Sequence, residues 1–162
     1  MQSAEPGHVL RMRIDLDPAA LQRPRWPEGV TVRTFTACDA NPLHSLLTHG
    51  YRHGGGRVAP FGEWLPSMTG DDEYDPALWF LAEADAELVG AALCWTSAFV
   101  KDLVVHESWR GRGLGEALML QAIATLAARG AHSVQLKVHA NNASAVRLYA
   151  RLGMQVAERL AF

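Results

Sequence analysis

The chain has 162 residues, of which 49% are hydrophobic and 20% charged, and its formal net charge is -2. This length suits one domain with its own core, and the balance is too apolar for disorder. It gives no basic face of the kind that nucleic acid needs, and no run approaches the ~20 apolar residues of a membrane span. The two cysteines, Cys38 and Cys94, make no disulfide framework. Met1 to Leu10 lacks the apolar stretch of a signal peptide. The expected setting is the cytoplasm.

His8 to Leu16 alternates as a strand, and Asp17-Pro18 stops it. Residues 18–29, with Pro18, Pro24, Pro27 and Gly29, read as an extended connector. Val30 to Phe35 follows as a second strand. Pro42 to Thr48 reads as a helix start, with Asn41 as N-cap and Pro42 in the first helical position. The glycines between His49 and Arg57 predict a loop, and Phe61 to Met68 a short helix.

Leu78 to Glu83 and Glu87 to Trp95 form a predicted hairpin about Ala84-Asp85-Ala86. Ala98 to His106 is a third apolar strand. Leu114 to Arg129 predicts a helix with Leu114, Leu118, Ala122 and Leu126 on one face, ended by Gly130. Ser133 to His139 is a strand, Asn142 to Leu152 a helix, and Met154 to Phe162 the last strand. The order implies an α/β fold with a mixed sheet, in which 98–139 forms a parallel crossover.

The most informative residues are Arg110-Gly111-Arg112-Gly113-Leu114-Gly115, between a strand and a long helix. The first amides of a helix have no partners and carry partial positive charge. A diphosphate fits there if no Cβ intervenes. A Walker A loop would end in Lys-Ser/Thr, where this one continues Glu116-Ala117. A dinucleotide fingerprint needs a carboxylate after the next strand, which here ends Lys137-Val138-His139. A merely tight turn stays open on this loop alone.

A second motif narrows the choice. Arg110-x-x-Gly113-x-Gly115 resembles the coenzyme A signature Q/R-x-x-G-x-G/A of the GNAT superfamily of N-acetyltransferases. Asn142, Ala145, Leu148, Tyr149 and Gly153 match that family's N-x-x-A-x-x-L-Y-x-x-x-G-F, with Met154 replacing Phe. Together the motifs cover residues 98–154. The resemblance implies a strongly twisted mixed sheet flanked by helices, with splayed central parallel strands at 98–106 and 133–139, in a single domain over 1–162 whose first 29 residues are strand and connector. It implies acetyl transfer from acetyl-coenzyme A to an amine of a small molecule or protein, without a metal. A module of the same fold that senses acyl-coenzyme A without turnover is the alternative.

The resemblance also assigns residues. Leu103, Val104 and Val105 are expected to bind pantetheine through their backbones, with an amide near Val104 polarising the thioester carbonyl. Arg110, Gly111, Arg112, Gly113, Leu114 and Gly115 hold the diphosphate, and Asn142, Ser144 and Arg151, with Arg147, serve the cofactor arm or its outer phosphate. Tyr149 either protonates the departing thiolate or is a core aromatic. Asp102, interrupting an apolar strand, is either the general base or a partner of Lys101, Arg110 or a loop amide.

The resemblance implies an acceptor pocket built from residues 37–74, where Tyr51, Arg52, Arg57, Phe61 and Trp64 suggest a partly apolar lid. Asp71, Asp72 and Glu73 there attract a cationic amine or form a solvated turn. His49 and His53 could hold a metal only on a helix, which Gly50 and Gly54 argue against. His106 and Glu107 read as loop residues, and Cys94 as core. One strand remains after the last helix where relatives have two, so residues 8–16 are expected to fill the missing sheet position, in this chain or swapped into the partner of a homodimer. Similar strand-plus-proline connectors join the halves of tandem acetyltransferases of the mycothiol synthase type, which this chain also resembles.

Overall fold

The computed structural model describes residues 7–52 and 57–161. His53, the Gly54–Gly56 run and Phe162, each named above, lie outside the described residues. In chain order the elements are β1 (His8–Asp15), β2 (Thr31–Thr34), α1 (Ala40–Gly50), α2 (Phe61–Thr69), β3 (Trp79–Ala84) and β4 (Glu87–Cys94). Then come β5 (Phe99–Val105), α3 (Leu114–Ala128), β6 (Ser133–His139), α4 (Ala143–Arg151) and β7 (Gln155–Ala161). They build one seven-stranded sheet in the order β2-β3-β4-β5-β6-β1-β7. Its pairs are antiparallel except β5 with β6, which is parallel.

β1 lies between β6 and β7 and pairs antiparallel with both, from Val9↔His139 to Asp15↔Ser133 on one side and from His8↔Ala161 to Arg13↔Gln155 on the other. The N-terminal strand thus fills the vacant position within its own chain. Its Leu10 and Met12, 5% and 2% exposed, anchor it in the core.

Two hydrophobic layers sandwich the sheet. One joins α3, α4 and the sheet through Leu114, Leu118, Ala122, Leu126, Leu136 and Tyr149. The other joins α1 and α2 to Trp79, Leu81, Ala91, Leu93 and Val104. α3 buries Ala117, Met119, Leu120 and Ile123 as well as its predicted face, so it is a helix enclosed on most sides rather than an amphipathic one.

α1 departs from expectation at both ends. It starts at Ala40, ahead of Asn41, and Asp39 is its N-cap residue. Pro42 sits within the first turn, where a helix leaves its N–H groups unpaired in any case. At the other end α1 runs through Gly50, which the glycine signal had assigned to a loop. Tertiary packing overrides the local preference: a Cβ at Gly50 would overlap Val104 Cγ2. Only a glycine lets the end of α1 lie this close to β5.

The sheet opens in its middle. β5 and β6 are in register only at Phe99↔Gln135 and Val100↔Leu136. β4 pairs Leu93 with Asp102 and Cys94 with Val100, which leaves Lys101 as an extra residue in β5. Such a bulge bends its strand and interrupts pairing. Beyond it β5 follows β4 and diverges from β6, giving the splayed parallel strands that the resemblance implied.

Candidate active site

The divergence makes a cleft of about 820 Å³ between β5, the loop before α3, and α4. Leu103, Val104 and Val105 form one wall, residues Arg110 to Glu116 the mouth except Arg112, and Asn142 to Arg151 much of the other wall. A second, smaller opening of about 60 Å³ continues the gap between Lys101, Leu103, Lys137 and His139. Tyr51 and Tyr149 line both.

The backbone of β5 has a defined parity here. His106 N–H donates to Val89 O at 2.8 Å, and Val104 lies opposite Ala91 two residues earlier. In an antiparallel ladder this alternation turns the backbone groups of Val104 toward β4 and those of Leu103 and Val105 toward the gap. An amide that meets a carbonyl in the gap is therefore that of Leu103 or Val105, next to Val104 but not its own.

At the mouth, Gly111 and Gly113 have φ of 74° and 84°, a left-handed backbone that favours glycine. A Cβ at either would point into open space, with no atom within 4 Å. Gly113 is the N-cap residue of α3, no side chain caps the helix, and its first intrahelical bond is Ala117 N–H to Gly113 O at 3.1 Å. The amides of Leu114, Gly115 and Glu116 precede that bond and face the cleft. Gly115 packs closely on α4, since a Cβ there would meet Leu148 Cδ2 at 3.3 Å. Arg112 lies over the Trp109 ring at 4.6 Å, while Arg110 is exposed beside the mouth.

On α4, Asn142 is the N-cap: its side chain accepts from Ala145 N–H at 3.3 Å and from Ser144 Oγ at 3.4 Å. Its first duty is thus to begin the helix that presents Arg147, Leu148, Tyr149 and Arg151 to the cleft. Tyr149 is 7% exposed, and burial pushes its phenol up to about 12. Its hydroxyl has no hydrogen-bond partner among the described residues. It is therefore both a core aromatic and a polar tip at the gap.

Asp102 is 7% exposed on the α1 side of β5. Its Oδ1 accepts the Tyr51 hydroxyl at 2.8 Å, and Lys101 Nζ stands 3.9 Å from Oδ2. Burial raises the Asp102 carboxyl above the usual carboxylate range, against the opposing pull of Lys101 and of the Tyr51 hydrogen bond. Burial also raises Tyr51, with the charge of Asp102 adding to it. Of the partners expected for Asp102, Lys101 is present at long range, and the dominant one is Tyr51. Sequence reading had placed Tyr51 in the acceptor segment without pairing it to Asp102. Only the helical course of Gly50, which hydrophobic periodicity does not reveal, brings the two together.

Several other expectations resolve. Trp64 is core rather than lid, 5% exposed and 6.2 Å from the Trp79 ring. Asp71 and Glu73 serve a turn: Glu73 N–H donates to Asp71 Oδ1 at 2.8 Å, and Ser97 N–H to Glu73 Oε1 at 3.0 Å. His49 and Arg52 meet Glu107 at 3.3 and 2.7 Å, and His49 stacks on His106 at 5.7 Å, tying α1 to the loop after β5. Arg52 and His49 hold the Glu107 carboxyl below its usual range. Cys94 is fully buried, and its thiol is pushed up to about 12 by burial, as suits a core residue. Among the described residues no three His, Cys, Asp or Glu cluster as metal ligands, and no helix is long and apolar enough to cross a membrane.

A mixed sheet opened between parallel strands, with bare helix amides at the mouth of the opening, is the build of a coenzyme A-dependent acyltransferase. Residues 43–154 match the model of the Acetyltransferase (GNAT) family, and the chain belongs to that family. It is 32% identical over 156 residues to the mycothiol acetyltransferase of Streptomyces avermitilis, covering 91% of this chain and 50% of the relative. It is 35% identical over 174 residues to that of Tsukamurella paurometabola, covering 94% and 56%. The chain thus spans about half the length of the curated relatives it matches. Among solved structures, a GCN5-related N-acetyltransferase from Sphaerobacter thermophilus superposes with a TM-score of 0.81 at 32% identity, over 96% of this chain and 50% of that one.

Proposed function

We propose that this chain is a single acetyltransferase domain that transfers the acetyl group of acetyl-coenzyme A to a primary amine of a small molecule or protein. The observation that carries the reading is the start of α3, where uncapped amides face a cleft left by splayed strands. The open space at Gly111 and Gly113 suits the close approach of a diphosphate.

Acetyl-coenzyme A supplies an activated acyl thioester. The amides of Leu114, Gly115 and Glu116 receive its diphosphate, with Arg110 and Arg112 adding charge. Arg147 and Arg151 lie along the cleft for the outer phosphate. The gap-facing backbone groups of Leu103 and Val105 pair with the pantetheine amides, and one N–H holds the carbonyl oxygen as it gains charge. Tyr149, a neutral phenol at pH 7 whose pKa burial pushes further up to about 12, gives its proton to the departing sulfur. Asp102 takes the proton that an ammonium must lose before it attacks. A phenol that lines the gap favours an enzyme over a sensor.

The free Cys38 and Cys94 support a reducing cytoplasm. The outer edge of β7, the last strand of the sheet, supports a homodimer.

Titration calorimetry with coenzyme A, followed by thiol release from acetyl-coenzyme A over a panel of primary amines, tests the proposal. Binding that Gly113→Ala weakens tenfold or more, together with amine-dependent thiol release, is the expected result. No binding by the wild-type chain would reject it.

A further inference from the structure

Asp102 is poorly placed to meet an amine by itself. It is 7% exposed and lines neither opening of the gap. The Tyr51 phenol lines both openings and donates its proton to Asp102 Oδ1 at 2.8 Å. Of the hydrogen-bonded pair, only Tyr51 lines the openings, and the carboxylate lies behind it.

We infer that Tyr51 and Asp102 form a two-residue proton relay, in which Tyr51 touches the acceptor and Asp102 stores its proton. The inference rests on the acetyltransferase reading above and adds a residue to it. In the relay one N–H bond of the acceptor ammonium breaks, and its electron pair stays on nitrogen. That proton binds the Tyr51 oxygen as the original Tyr51 proton passes to Asp102 Oδ1. Tyr51 is again a neutral phenol, Asp102 is a carboxylic acid, and the acceptor is a free amine. The amine attacks the thioester carbonyl. Its second proton leaves the tetrahedral intermediate for solvent, Tyr149 gives its own proton to the departing sulfur, and the Tyr149 phenolate takes one back from solvent. Asp102 then returns its proton to solvent, so one proton is released per turnover.

The surroundings fit a base of this kind. A phenol alone would be a poor proton store, because it would have to become a phenolate or an oxonium. The hydrogen bond to a buried carboxylate removes that need, since the charge lost on the acceptor is matched on Asp102. Among the described residues, the charged and titratable groups facing the pair are Lys101 beside Asp102 and Tyr149 near Tyr51. Lys101 pulls the Asp102 carboxyl down, against the larger upward push of burial. Gly50 brings the helix end against Val104, which fixes Tyr51 one residue later over Asp102.

The test uses the amine that the panel shows to be the best acceptor, with kcat/KM measured from pH 6 to 10 for the wild type, Tyr51→Phe, Asp102→Asn and the double variant. Removing general base catalysis is expected to cost roughly 100-fold near pH 7. Both single variants should recover toward wild type as pH approaches the pKa of the amine, because the free base then needs no relay. The double variant should be no worse than either single one. Coenzyme A affinity by calorimetry should not move. A Tyr51→Phe profile equal to wild type beside a defective Asp102→Asn, or additive losses in the double variant, would overturn the relay and leave the acetyltransferase reading intact. No thiol release from the wild type with any amine would overturn that reading and the relay with it.

Discussion

Gly50 and Val104 touch so closely that a Cβ on the glycine would overlap the Val104 Cγ2 methyl. This contact joins the end of α1 to the one strand whose far edge opens the cleft. Gly50→Ala should therefore act twice. Overpacking costs about 1–3 kcal/mol, which a chemical denaturation curve will read as a lower midpoint. The displaced helix end should also lengthen the Tyr51–Asp102 hydrogen bond, now 2.8 Å, and lower turnover beyond what the stability loss explains. An alanine variant with wild-type midpoint and rate would show that α1 slides freely on β5.

Arg33 makes a second anchor beneath α1. Its two terminal nitrogens reach Asp39 Oδ2 and Oδ1 at 2.7 and 2.6 Å, and Asp39 also accepts Thr36 N–H at 2.8 Å. The Arg33 hydrogen bonds hold the Asp39 carboxyl at about 2, below its ordinary 3.8. A depressed carboxylate stabilises the folded state above the unfolded value and loses that contribution as pH falls through the folded one. The loss should thus run from about pH 4 down to about pH 2. Discounted for the exposed side of Arg33, it amounts to roughly 1–2 kcal/mol. Denaturation midpoints of wild type and Asp39→Asn should converge across that window. A constant difference down to pH 2 would contradict the assignment.

The uncapped start of α3 was legible because its chemistry is local: glycines between a strand and a helix tell where amides are bare. Strand and helix positions were legible because apolar period and proline or glycine stops are local too. Two features were not. The helical Gly50 depends on a close approach to Val104, a contact across 54 positions that no window contains. The Tyr51–Asp102 pair depends on that approach in turn, so Asp102 could be suspected but not its partner. Trp64 misled for a similar reason: an aromatic in a glycine-flanked segment resembles a lid until Trp79 packs against it.

β1 offers a test of the sheet order. It is the neighbour of both β6 and β7, and among the described residues β7 has no other strand beside it. Removing residues 1–17 withdraws Leu10 and Met12 from the core, leaves β7 without its partner strand and bares one edge of β6. Two large apolar side chains contribute about 1.5–3 kcal/mol each, and the sum is comparable to the whole stability of a marginal domain. The truncated chain should melt many degrees lower or fail to fold. Met12→Ala, a smaller lesion, should cost about 2–5 kcal/mol by denaturant titration. An unchanged melting temperature and mass after truncation would show that β1 is dispensable to the sheet.

Tyr149 separates function from packing by the cleanest substitution available. Its ring belongs to the core, yet its hydroxyl has no hydrogen-bond partner among the described residues. Tyr149→Phe keeps the ring and removes a polar atom that makes no hydrogen bond among the described residues, so stability should stay the same or rise slightly. If the phenol protonates the leaving thiolate, kcat should nevertheless fall about 10²-fold or more, with coenzyme A affinity unchanged. The pH profile adds a sign. With Tyr149 raised to about 12, the phenol stays protonated through the working range, and no alkaline loss of rate below pH 10 should trace to it. A full-rate Tyr149→Phe enzyme would return this residue to the core and leave the thiolate to be protonated by water.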